Sequence, residues 1–192
     1  MTRWTTAAVL AAAVGAATAG TSNTITFDEV PTGTLADGLT IDIVTFSTSD
    51  FTADVNGGPG PTTFTSDPGI EGDPFIALDF SFGQAVSEFS YGFANASFGG
   101  GVPVGSTVDV FGVGGVLLGS FSAPSDVGGF MFPSGQVSVS GVGPIVSASV
   151  IFENVNSFAY LFDNLSYTVV PAPATTAMGL ALAVAGATRR RR

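Results

Sequence analysis

Apolar and polar positions alternate with a period of two along most of this chain. In the segment Ala85 to Ala96, Phe89, Tyr91 and Phe93 fall on one side and Glu88, Ser90 and Gly92 on the other. That alternation predicts a half-buried antiparallel strand. Leu39 to Ser47 reads the same way, with Ile41, Ile43 and Thr45 on one face and Asp42, Val44 and Phe46 on the other. Further strands are predicted at Thr24 to Phe27, Phe75 to Phe82, Thr107 to Val113, Val116 to Ala123, Gln136 to Ser140, Pro144 to Phe152 and Phe158 to Val169. Gly114-Gly115 is a two-residue hairpin signal that requires positive φ. Asp54 to Thr62, with its run Asn56-Gly57-Gly58-Pro59-Gly60-Pro61, predicts a loop.

Roughly ten or eleven strands spaced by about 8–12 residues mark a sandwich or barrel. No segment before residue 174 carries a sustained helical period with caps, and no fixed repeat suggests a propeller or solenoid. The expected fold is all-β, a two-sheet antiparallel sandwich of jelly-roll type. A signal helix precedes it and a short transmembrane-type helix follows, so three segments are expected: 1–19, 20–169 and 170–192.

The two ends break the strand pattern. Residues 1–19 read as a signal peptide: Arg3 is the positive start, Ala7 to Ala16 the short apolar run, and Ala17-Thr18-Ala19 the small-x-small cleavage pattern, with Ala17 and Ala19 as its small positions. At the other end, Pro171 and Pro173 close the last strand because neither can donate to a ladder. An apolar run of about 15 residues follows, roughly 22 Å as a helix, short of the roughly 20 residues that usually cross a bilayer. Arg189, Arg190, Arg191 and Arg192 then hold its far end on the cytoplasmic side.

Charge sharpens the picture. All five positive residues lie in the terminal segments, while the 15 carboxylates lie between Gly20 and Val170 with no Lys, Arg or His among them. Such a body has no internal ion pairs to draw on, so its acids are solvated, capped by N–H groups or bound to cations. Nucleic acid is excluded as a partner, since nothing there can displace phosphate counterions. There is no cysteine, hence no disulfide or thiolate site, which a β domain of about 150 residues does not need in order to fold.

The same inventory removes most catalysis. Without His, Cys or Lys there is no Ser-His-Asp or Cys-His triad, no Ser-Lys dyad and no imidazole or thiolate zinc site. A glycosidase of the two-carboxylate kind stays open, but with 15 acids some such pair arises by chance. Asp67, Glu71 and Asp73 form a Gly/Pro-rich acidic cluster without EF-hand spacing, best read as a solvated loop. The 17 Phe and the tyrosines Tyr91, Tyr160 and Tyr167 alternate as core residues do.

The tail, Val170-Pro171-Ala172-Pro173-Ala174-Thr175 with Gly179-Leu180-Ala181-Leu182 and the four arginines, resembles the PEP-CTERM sorting signal of bacterial exported proteins. Ala172 stands where that family has Glu. The resemblance implies transient tethering at the inner membrane, processing by an exosortase-like enzyme if Ala172 serves there, and release to the cell surface or matrix. Ile25-Thr26-Phe27-Asp28-Glu29 and Phe162-Asp163-Asn164-Leu165-Ser166-Tyr167 resemble the first and last strands of jelly-roll carbohydrate-binding-module-like domains. That implies a structural Ca²⁺ shared by Asp28, Glu29 and Asp163, whose oxygens are of the hard kind calcium takes.

The expected function is a non-enzymatic exported surface or matrix-associated protein. The alternative is a Ca²⁺-dependent carbohydrate-binding module with a polysaccharide partner.

Overall fold

The computed structural model describes residues 20–58, 61–97, 105–126, 132–153 and 157–171. The signal helix and the apolar helix beyond Pro171 lie outside them. The described residues form eleven antiparallel strands: β1 Ser22–Ile25, β2 Thr40–Ile41, β3 Val44–Thr48, β4 Asp54–Asn56, β5 Gly69–Gly72, β6 Leu78–Ser97, β7 Gly105–Phe111, β8 Leu117–Pro124, β9 Ser134–Val139, β10 Ile145–Phe152 and β11 Ser157–Val169. The all-β expectation holds.

Strand β6 organises the rest. It runs for 20 residues and takes part in both layers of the sandwich. Its first part, Leu78 to Phe82, pairs with β3 on one side and β10 on the other, and β10 leads on to β7 and β8. From Val86 onward it pairs with β11 and, over Phe89 to Ala94, with β9; β11 in turn carries β1 and β5, with β4 beyond β5. The changeover falls at Gly83 to Ala85, just after the N–H of Gly83 bonds Ile43 O at 2.7 Å as the last rung in register with β3.

The core fills the space between the layers. Phe46 and Phe80 of the first layer meet Phe162 of the second at ring-centroid distances of 6.0 and 5.8 Å. Phe152 of β10 stacks on Tyr160 of β11 at 3.9 Å with the planes 9° apart. Tyr91, Tyr160 and Tyr167 are all within 1% of complete burial, so the reading of the tyrosines as core is correct, whereas among the phenylalanines Phe51, Phe75 and Phe158 are exposed.

Four local expectations change. Phe75 to Phe82 and Ala85 to Ala96 are one strand broken by no turn, and it begins at Leu78, which leaves Phe75 70% exposed. Leu39 to Ser47 is two strands, because Asp42 adopts a positive φ of 52° and turns the chain between them. Val44 and Phe46 are the buried face there. Asp54–Asn56, expected as loop, is a strand, and so is Gly69–Gly72 in the acidic cluster. Both are short and carry little apolar signal; β5 is a strand because β11 offers it a ladder, and β4 because β5 then offers one in turn. At the tip, Gly114 and Gly115 take the expected positive φ of 76°, but within a three-residue 3₁₀ turn, Val113–Gly115, rather than a two-residue one, closed by Gly112 N–H on Val116 O at 2.8 Å. Pro171 also acts as predicted: the N–H of Val170 bonds Ala85 O at 2.9 Å, and the next residue has none to give.

Candidate functional site

Asp28 and Glu29 sit in the turn that follows β1, closed by Val30 N–H on Phe27 O at 2.9 Å. They line a cleft of about 360 Å³ between β1 and the β2–β3 turn, together with Asp42 and Tyr167. Thr26 Oγ1 donates to Asp28 Oδ2 at 2.7 Å, and the Tyr167 hydroxyl donates to Asp42 Oδ2. Burial and the Asp42 carboxylate together push the Tyr167 hydroxyl up to about 12.

The third predicted acid, Asp163, is not in that cleft. It is wholly buried, and its Oδ2 accepts both the N–H of Ser66, at 2.7 Å, and the Ser66 hydroxyl, at 2.9 Å. Its other oxygen, Oδ1, has no hydrogen-bond partner. Burial raises the carboxyl to about 6; the Ser66 and Asn164 N–H groups and the Ser66 hydroxyl pull it down, and the Asp28 carboxylate adds to the rise. Among the described residues, no three acids converge as a metal shell of side chains would require.

Backbone strain gathers around these acids. Phe27, Asp42 and Asn164 have φ of 61°, 52° and 52°, a region that costs L residues energy and persists only where surrounding contacts over-determine it. Asn164 is held by its Nδ2, which donates to Phe64 O at 3.1 Å. Asp and Asn tolerate this region, whereas nothing in the sequence marks Phe27 for it.

The acidic cluster Asp67, Glu71 and Asp73 is divided by β5. Asp67 precedes the cis peptide to Pro68, Glu71 is in the strand, and Asp73 follows it. Asp73 donates its N–H to Asp50 Oδ2 at 2.8 Å, while Asp50 Oδ1 accepts the N–H and hydroxyl of Thr52. Burial would raise the Asp50 carboxyl, but those donors outweigh it and hold it below the usual range. Asp50 is the acid that sequence reading missed. It fastens two loops whose exposed rings, Phe51 and Phe75, stand 86% and 70% in solvent.

The outward face of the first layer carries a regular polar row. Ser47 of β3, Asp79 of β6, Ser149 of β10, Asp109 of β7 and Ser120 of β8 are successive register partners across five strands. All are exposed or half-buried, and Ser120 donates to Asp109 Oδ1. On the second layer Thr24, Ser166, Ser90 and Ser138 form a row of hydroxyls, with Thr24 and Ser166 bonded at 2.8 Å.

Of the sorting motif, Val170 and Pro171 are described; Ala172, Pro173, Ala174, Arg189 to Arg192 and the cleavage residues Ala17 and Ala19 lie outside the described residues.

No protein-family model and no curated protein matches the chain. Solved structures with a similar course of chain include an arabinose-bound α-L-arabinofuranosidase, at TM-score 0.48 and 11% identity over 74% of this chain. The chain spans 25% of that enzyme's length. The cleaved adhesin domain of Lys-gingipain from Porphyromonas gingivalis is similar at TM-score 0.47 and 10% identity, covering 78% of this chain and 99% of that one. The xylan-binding domain CBM22-1 from Paenibacillus barcinonensis is similar at TM-score 0.43 and 16% identity, covering 82% and 100%. Likenesses of this size assign neither ligand nor chemistry to the present chain.

Proposed function

We propose that the body, Gly20 to Val170, is a non-catalytic module that binds a neutral polysaccharide outside the cell. The row Ser47, Asp79, Ser149, Asp109, Ser120 carries this reading. Neighbouring strands lie about 4.8 Å apart, so the two carboxylates, two strands apart, stand about 9.6 Å from each other. That is close to the disaccharide repeat of an extended β-linked glycan lying across the strands. Carboxylates and hydroxyls together can accept from and donate to sugar hydroxyls, and a body without a positive side chain disfavours acidic polymers. Retention of the mature protein on insoluble cellulose, xylan, mannan and chitin tests the reading. Retention on one of them, reduced at least fivefold in Asp79→Asn/Asp109→Asn, is expected; passage of the unaltered protein through all four overturns it.

The reading of the ends stands beside this as part of the same proposal. Export by residues 1–19 and transient tethering by 170–192 would place the module at the cell surface or matrix. Expression with and without residues 170–192 checks it, and identical fractionation of both forms as freely secreted protein would end it.

Calcium is a second reading, favoured by one observation. Asp163 Oδ1 is a buried carboxylate oxygen without a partner, and buried orphan acceptors are costly unless a donor or cation answers them. Asp28 and Asp163 would supply carboxylate oxygens, with backbone carbonyls completing the six to eight that calcium takes. A calcium-dependent rise in melting temperature that chelation reverses is the expected result, because a ligand that binds only the folded state stabilises it.

A further inference from the structure

A second row crosses the outward face of the other layer, and it is not balanced. Ala94 of β6 is opposite Leu161 of β11, Leu161 is opposite Glu71 of β5, and Glu71 is opposite Asp54 of β4. An isolated bridge extends the row from Asp54 to Leu35, whose side chain is 57% exposed. The row thus passes from apolar to doubly acidic as it nears the edge of the sheet. Like charges directly opposite each other on neighbouring strands destabilise a sheet. Here no Lys, Arg or His exists anywhere between Gly20 and Thr188 to offset the repulsion.

The acidic end borders a groove of about 210 Å³. Ala94, Ala96, Ala159 and Leu161 line it together with Glu71, Phe132 and Phe158. Ala96 and Ala159, paired across β6 and β11, are its half-buried and accessible part, while Ala94 and Leu161 lie deeper. Small side chains make the depression: no residue larger than alanine comes from β6 at these positions. Burial, and then the facing Asp54 carboxylate, raise the Glu71 carboxyl above its ordinary value. An approaching cation would offset the Asp54 repulsion, the second of these causes.

We propose that this groove docks a basic side chain, lysine or arginine, presented by a partner polypeptide, with the aliphatic stem over Ala96 and Ala159 and the charge against Glu71 and Asp54. Long cationic side chains bury their stems on apolar surface while their heads reach a polar site. Charge complementarity selects the occupant: an anionic chain is repelled, and a purely apolar one leaves the paired carboxylates unanswered. The inference does not rest on polysaccharide binding, which uses the outward face of the other layer.

The test is chemical-shift mapping on the full, isotope-labelled chain with acetyl-Leu-Lys-Leu-amide and its Gln and Glu analogues. Shifts are expected at Glu71, Ala96 and Ala159 with the lysine peptide, at least tenfold weaker with the Gln analogue and weakened by salt. Glu71→Gln should abolish them while leaving the protein no less stable, since it relieves a repulsion. Ala96→Leu should block the groove without touching any charge. Equal shifts from the Gln analogue, shifts of the same size at Asp28 and Asp109, or none at all would each overturn the proposal.

Discussion

Asp163 and Ser66, 97 positions apart in the chain, are joined twice: the Ser66 N–H and hydroxyl both bond one carboxylate oxygen, at 2.7 and 2.9 Å. This fastening holds the 61–68 loop onto the outward side of β11. Removing the hydroxyl in Ser66→Ala costs one charge-assisted bond, about 1.5 kcal/mol, and urea unfolding should show it as a lower midpoint with an unchanged slope.

The same carboxyl predicts a pH dependence. Its folded value of about 6 lies above its ordinary 3.8, so the folded state holds the proton more tightly than the unfolded one. The contribution to stability is then fully present below pH 3.8 and is lost as the pH rises through about 6. In chelator, unfolding free energy measured between pH 4 and 7 should fall with pH more steeply in the native chain than in Asp163→Asn. Parallel curves would show that Asp163 does not titrate in this range.

Gly92 on β6 is where the loop lies closest to the sheet. A Cβ there would come within 1.9 Å of Phe64 O, a backbone atom that moves only if the loop moves. Gly92→Ala should therefore cost about 1–3 kcal/mol, as overpacking typically does. Limited proteolysis should cut the 61–68 loop faster in the variant, whereas Gly83→Ala, whose Cβ would meet Ile43 O at an ordinary 3.4 Å, should leave cleavage of that loop unchanged.

Phe162 touches Phe27, Phe46, Phe80 and Tyr91 and is completely buried. Phe162→Ala should cost about 3–5 kcal/mol. Phe51→Ala, at 86% exposure, should stay within about 0.5 kcal/mol. Thermal or denaturant unfolding of the pair measures the contrast directly.

Tyr91 and Ser106 link the two layers by a buried hydroxyl–hydroxyl bond of 2.8 Å. Tyr91→Phe leaves the Ser106 hydroxyl buried without that partner, at about 1–3 kcal/mol. Adding Ser106→Ala should recover part of the loss, and a double-mutant cycle gives the coupling. Additive losses would mean the bond contributes nothing of its own.

The sequence by itself determined the all-β class, most strand positions, the positive φ of the glycine tip and the lack of any positive side chain between Gly20 and Val170. Each of these is local or compositional: a period of two, a glycine at positive φ, a count of charges. Only the tertiary structure decided what faces what. Glu71 meets Asp54, and Asp163 meets Ser66 while standing outside the cleft that holds Asp28, because register between strands distant in sequence sets those encounters. β5 exists because β11 supplies it a ladder, and β4 because β5 does the same for it; both are too short and too polar to announce themselves. β6 reads as two strands because its alternation lapses at Gly83 to Ala85, and only its separate partners on either side of that point show one strand serving both layers.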